Sequence, residues 1–167
     1  MKKASTIPAK STSAQIIPAD PADAPAILAL QRLAYQAEAR LYDEWSIPPL
    51  TQTLEELRAE FATLAVLKAM CGGELVGSVR AGLGTGPEAD LCFIGRLIVH
   101  PERQRQGIGT ALLRAAEASC PSARRFQLFT GHRSAGPLRL YERMGYRPVR
   151  DEAVSPRLTL VFLERAA

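Results

Sequence analysis

Residues 97–110 read LIVHPERQRQGIGT: an apolar strand stops at Pro101, passes through a basic turn and meets two glycines that open a helix. Glycine permits the tight turn and, lacking a Cβ, lets a ligand approach the backbone. The first amides of a helix have no intrahelical acceptor, and they share the positive end of the helix dipole. Arg103 and Arg105 stand beside them and add charge-assisted bonds. Free N–H groups ringed by guanidiniums suit a phosphate or diphosphate. Two glycines at this spacing are also what an ordinary glycine-rich helix start looks like. Neither GxxxxGK[ST] nor a GxGxxG behind an early strand occurs, which excludes a P-loop and a dinucleotide-binding unit.

Working outward, residues 15–18 read as a strand, and Asp20 to Asp23 supply caps for a helix whose apolar positions continue to about Arg40. Residues 41–50, LYDEWSIPPL, cannot stay helical through Pro48 and Pro49 and read as a loop rich in aromatics and acids. Thr53 and Glu56 form a capping box for a second helix. Strands over 64–70 and 75–80 flank the Gly72-Gly73 turn. A connection over 82–90 leads to the long strand 91–99. Behind the nest, a helix over 107–118 is followed by a strand over 126–129. A short helix over 137–144 stops at Gly145, and strands over 146–150 and 158–163 end the chain. Strand–helix–strand runs imply right-handed parallel crossovers, and hairpins imply antiparallel pairing. The fold class is therefore α/β, with a central mixed sheet flanked by helices on both faces.

The chain has 167 residues, of which 47% are hydrophobic, enough for one domain with a sizeable core. We expect a disordered tail over 1–13 and a single domain over 14–167. No apolar run is long enough to span a membrane, and the first dozen residues lack the apolar stretch of a secretory signal. Cys71, Cys92 and Cys120 are odd in number and have no ligand spacing, and the histidines are only His100 and His132. Buried thiols, no metal and a cytoplasmic location are the expectation. From Asp20 to Glu60 there are eight acids against three arginines, and from Arg96 to Arg150 eleven arginines against three glutamates. The basic half lacks interleaved aromatics that would stack bases, so a compact polyanion accounts for it better than a nucleic acid.

The chain resembles the GNAT superfamily of acetyl-CoA-dependent N-acetyltransferases. The family signature V-x-P-x-x-[QR]-x-x-G-x-[GA] appears here as Val99-His100-Pro101-Glu102-Arg103-Gln104-Arg105-Gln106-Gly107-Ile108-Gly109. The second signature, Y-E-x-x-G-[FY], appears as Tyr141-Glu142-Arg143-Met144-Gly145-Tyr146. The resemblance covers nearly all of residues 14–164 and implies the GNAT-like acyl-CoA N-acyltransferase fold. It also implies that Arg105, Gln106, Gly107, Ile108, Gly109 and Thr110 wrap the pyrophosphate of acetyl-CoA. The backbone of Leu97, Ile98 and Val99 would bond the pantetheine arm in a gap between strands 91–99 and 126–129, opened by a bulge near Arg96 or Leu97. Ser134 takes the place of an asparagine that relatives direct at this arm. Tyr141 would be the catalytic donor to the departing thiolate.

Relatives carry a glutamate in the fourth or fifth strand; here neither strand has an acid. A water chain, Glu44, Asp43 and His132 remain open as routes for the amine proton. Cys92, in an apolar strand with no histidine near it in sequence, reads as a buried small side chain rather than a nucleophile. The resemblance places the acceptor pocket at the loop of Tyr42, Asp43, Glu44 and Trp45, with Phe93 and residues 154–157 as weaker wall candidates. Its aromatics could equally cover the core. Its charge favours a small-molecule amine or peptide amine over an anionic acceptor. A non-catalytic acyl-CoA-binding or sensor module is the alternative, and a nucleic-acid-binding protein a third reading. A homodimer through the C-terminal strands and a monomer both remain open.

Overall fold

The computed structural model describes residues 13–167. The expected tail lies outside the described residues except for Ser13. Seven strands form one sheet in the order β1-β2-β3-β4-β5-β7-β6: β1 is Gln15–Pro18, β2 Ala65–Cys71, β3 Glu74–Leu83, β4 Leu91–Val99, β5 Arg125–Gly131, β6 Arg147–Ala153 and β7 Thr159–Ala166. Every neighbouring pair is antiparallel except β4 and β5, so the mixed sheet is as expected.

Helix α1 (Ala24–Ala34) and α4 (Leu54–Glu60) pack on one face, where Ile27, Leu28 and Leu57 meet Val66 of β2. Helix α5 (Ile108–Ala118) covers the other face, with Leu112 and Leu113 fully buried beside Leu67 and Ala69. The alternation of Val66 and Leu67 between the two cores is the period-2 pattern of a strand covered on both sides. Gly77 of β3 lies under α5; a Cβ there would sit 2.8 Å from Leu112 Cδ1.

The helix expected to reach Arg40 is interrupted at Tyr35 and resumes as α2 (Gln36–Tyr42). The loop expected over 41–50 is shorter than the sequence implied, because Pro48 and Pro49 begin a helical turn, α3 (Pro48–Thr51). Proline is tolerated at these positions since its missing N–H would have no helical partner there. Both predicted caps form: Asp20 with Asp23, and Thr53 with Glu56. The 82–90 connection is also shorter than expected: β3 runs to Leu83, and a 3-10 turn spans Gly86–Glu88.

A buried polar network anchors α3 to the sheet. Arg80 of β3, 3% exposed, donates through Nη2 to Gln31 Oε1 and through Nη1 to Gln52 Oε1. It pairs with Glu60 Oε2 at 2.9 Å. Gln31 Nε2 in turn donates to the carbonyl of Pro49 at 2.9 Å. Burial pushes the Arg80 guanidinium below its ordinary value, and Glu60 counters this. Removing one partner of such a pair strands a charge, whereas replacing both with apolar groups is mild. Glu60→Ala should cost about 3 kcal/mol in urea denaturation, and the double variant Arg80→Met/Glu60→Leu distinctly less.

Candidate active site

Strands β4 and β5 pair in parallel only from Leu91 with Arg125 to Phe93 with Gln127, and then separate. The cause lies on β4. Ser78 opposes Ile98 while Arg80 opposes Gly95, so β4 carries one residue more than β3 across this stretch. Arg96, at that bulge, adopts φ +50°. An extra residue bends its strand and steepens the local twist. The expected bulge is therefore present. The gap between the strands is a cavity of about 500 Å³, lined from β4 by residues 94–99 and from β5 by residues 128–131.

A second cavity of about 660 Å³ adjoins it at the start of α5. Its floor is the glycine turn. Arg105 (φ +62°) and Gly107 (φ +81°) are both left-handed, and Gly107 caps α5. The first helical bond runs from Ala111 N to Gly107 O, so the amides of residues 108–110 precede any intrahelical acceptor. Four guanidiniums border this cavity: Arg103, Arg105, Arg139 and Arg143. The last two come from α6 (Ala135–Arg143) and were not anticipated; their four-residue spacing puts them on one helix face. Arg103 also pairs with Glu74 at 3.6 Å.

Leu97, Val99, Gln104, Pro137 and Tyr141 border both cavities. Tyr141 is only 6% exposed. Burial drives its phenol well above the usual tyrosine range, with smaller contributions from Tyr35 and Glu38. It therefore stays neutral, a permanent hydrogen-bond donor, where the two cavities meet.

The structure gathers Leu97, Ile98, Val99, Arg105, Gly107, Ile108, Gly109, Thr110, Tyr42, Glu44 and Tyr141 around these cavities. It leaves others outside. Gln106 borders neither. Asp43 turns to Arg157, which donates to its carbonyl at 2.9 Å and its carboxylate at 3.2 Å. Trp45 is 52% exposed and Phe93 lies on the surface, and neither lines a wall. Val154 and Ser155 do. Ser134 is 2% exposed and already committed. The Arg133 amide donates to the Tyr42 hydroxyl (2.8 Å), which lies 2.7 Å from Ser134 Oγ, and Ser134 donates to Glu38 Oε2 at 2.6 Å. Of the routes named for the amine proton, Glu44 borders the first cavity, whereas His132 packs on Tyr42 at 5.6 Å and bonds Thr159. Glu38, a carboxylate missed in the sequence because it sits mid-helix, borders the cavity too. Cys92 is buried, and its thiol is driven far above its ordinary value by burial and by Cys120.

A sequence model of the Acetyltransferase (GNAT) family matches residues 26–146. The chain belongs to the GNAT family. No curated protein sequence matches it. Among solved structures, yncA of Salmonella typhimurium, determined with acetyl-CoA, shares 20% identity at a TM-score of 0.75, covering 92% of this chain and 94% of that one. The PaiA N-acetyltransferase of Thermoplasma acidophilum, in complex with coenzyme A, shares 16% at 0.73, covering 93% and 99%. A GNAT phosphinothricin acetyltransferase of Sinorhizobium meliloti, with acetyl-CoA, shares 19% at 0.75, covering 92% and 88%. At these identities the likeness establishes the GNAT fold. Among the described residues, no helix is long and apolar enough to cross a membrane.

Gly131 of β5 leaves room for Tyr42: a Cβ there would collide with the phenol ring and its hydroxyl. Gly131→Ala should lower stability by about 1–3 kcal/mol in thermal denaturation. In a Tyr42→Ala background most of that cost should disappear.

Proposed function

We propose that the protein transfers an acetyl group from acetyl-CoA to a primary amine by direct attack within a ternary complex. The observation that carries this reading is the meeting of an arginine-ringed cavity and the cavity between β4 and β5 at one buried, neutral tyrosine. The arginine-ringed cavity takes the diphosphate, held by the amides of residues 108–110 and by Arg105, with Arg139 and Arg143 at its edge. The pantetheine arm runs along the unpaired edge of β4, main chain to main chain, at Leu97, Ile98 and Val99. Gln106 and Ser134 have no part in this arrangement. The acceptor enters the cavity bordered by Tyr42 and Glu44, and Asp43 and Trp45 stay outside it.

The amine loses a proton through water to Glu44 or Glu38 and attacks the thioester carbon. Backbone N–H groups on the free edge of the 97–99 stretch face the developing oxyanion. The carbon–nitrogen bond forms and the carbon–sulfur bond breaks; Tyr141 gives its proton to the departing thiolate and recovers one from the acylated nitrogen, through water, so that thiol and neutral amide are the products and the phenol ends neutral. The Glu38 carboxylate, fixed by Ser134, helps keep Tyr141 neutral.

Thiol release from acetyl-CoA over a panel of amines tests this reading. Tyr141→Phe should lower kcat by about 10²-fold, within the range of general acid catalysis, and leave the KM for acetyl-CoA nearly unchanged. Tyr141 ionises above its ordinary value, so it contributes no alkaline loss of rate below pH ~10; kcat/KM should instead rise with pH as the acceptor ammonium is deprotonated. Tight coenzyme A binding without thiol release from any amine would favour the non-catalytic acyl-CoA-binding module instead.

A further inference from the structure

The acceptor cavity contains one cation, Arg96, that has no counterpart among the described residues. Arg96 borders the cavity from the β4 bulge. Its backbone is left-handed at φ +50°, a strained conformation for a residue other than glycine that gathers at ligand sites. Its Nε is buried without a hydrogen-bond partner. Among the described residues the side chain makes neither a hydrogen bond nor an ion pair.

The contrast with Arg80 is instructive. Arg80 has Gln31, Gln52 and Glu60, while the Arg96 charge acts on Arg80 as a like charge and lowers it further. Glu60 is the carboxylate paired with Arg80, and none is paired with Arg96 among the described residues. Glu38 and Glu44 border the same cavity, yet neither comes within 4.0 Å of Arg96. One wall is anionic and another cationic, and the two do not neutralise each other. The Arg96 guanidinium is half-buried and its Nε is cut off from water with no partner, so a ligand that pairs with the group satisfies it.

We propose that the acceptor is a compact zwitterion, an α-amino acid or a close analogue, whose carboxylate binds the Arg96 guanidinium while its amine faces Glu38 and Glu44. This rests on the acetyltransferase reading above and narrows it. A guanidinium fork matches a carboxylate with two parallel bonds. A cavity of about 500 Å³ is within the range for a small molecule. Polyamines and protein N-termini carry no carboxylate beside the reacting amine.

The test compares the proteinogenic α-amino acids, each beside its α-carboxamide and its decarboxylated amine, by thiol release from acetyl-CoA. At least one amino acid should exceed both of its neutral-tailed analogues in kcat/KM by about 10–100-fold, the scale of a lost hydrogen bond to a charged group. Arg96→Gln should reduce that ratio to near one, mainly through KM, and Arg96→Lys should retain part of it. Calorimetric affinity for coenzyme A reports that both variants are folded and should stay within about twofold of wild type, a change too small for a lost charged hydrogen bond. Equal use of acids, amides and amines would overturn the proposal. So would a loss of coenzyme A affinity in Arg96→Gln with all acceptors affected alike, which would assign Arg96 to the donor arm.

If coenzyme A binds and no amine is acetylated, the acetyltransferase reading fails on its own. Calorimetry of the same probes on coenzyme A-loaded protein then decides the carboxylate site: binding of acids over amides, abolished in Arg96→Gln, supports it, and no preference overturns it.

Discussion

The divergence of β4 from β5 is the constraint on which the rest of the molecule depends. Two parallel strands that stay paired would bury their peptide groups in one another; these stay paired for three residue pairs only. One extra residue on β4, opposite β3, turns the strand away. Its cost is a left-handed Arg96 and a row of peptides without a strand partner on one side. Unpaired backbone groups are tolerated where water or a ligand can satisfy them. The same gap that frees the peptides makes the cavity, so in the proposed complex one irregularity brings donor arm and acceptor together.

Around this gap the charges are separated. The start of α5 and one face of α6 put four arginines around one cavity, while α2 and the loop behind it bring Glu38 and Glu44 to the other. Two polar assemblies hold those walls. The Gln31–Arg80–Gln52–Glu60 network ties α3 down through the Pro49 carbonyl. The Arg133–Tyr42–Ser134–Glu38 chain joins α2 to the start of α6. Their central members, Gln31, Arg80, Gln52, Tyr42 and Ser134, are buried, so each needs its neighbours to satisfy it. At the far end of α6, Tyr146 donates to Glu117 at 2.7 Å and Arg165 pairs with the same carboxylate at 2.9 Å. That fixes the helix carrying Tyr141 against α5.

Local chemistry explains what could be read from the sequence. The capping boxes, the Gly72-Gly73 turn, the glycines at 107 and 145 and the strand–helix alternation are short-range signals, and each appeared in place. The bulge at Arg96 was expected through family resemblance, and the isolated Gly95 inside the strand is a local signal for it. Assemblies built from distant residues were not legible. Glu38 was not singled out in the sequence; it sits within α2 and borders the cavity from there. Ser134 looked available because its partners, Tyr42 and Glu38, are more than 90 residues away. Trp45 looked like a pocket wall because aromatic residues often are, but the turn begun by Pro48 and Pro49 sets the wall without it. Arg96 looked like one basic residue among many; its left-handed backbone and its place on the cavity wall set it apart.

The central claim is that the free edge of β4 is completed by coenzyme A. Hydrogen–deuterium exchange resolved to single amides, with and without saturating coenzyme A, tests it most directly. The account predicts slowed exchange concentrated in residues 97–99 and 108–110, with little change in β2 or β6. Unaltered exchange at 97–99 under conditions where coenzyme A is demonstrably bound would contradict it.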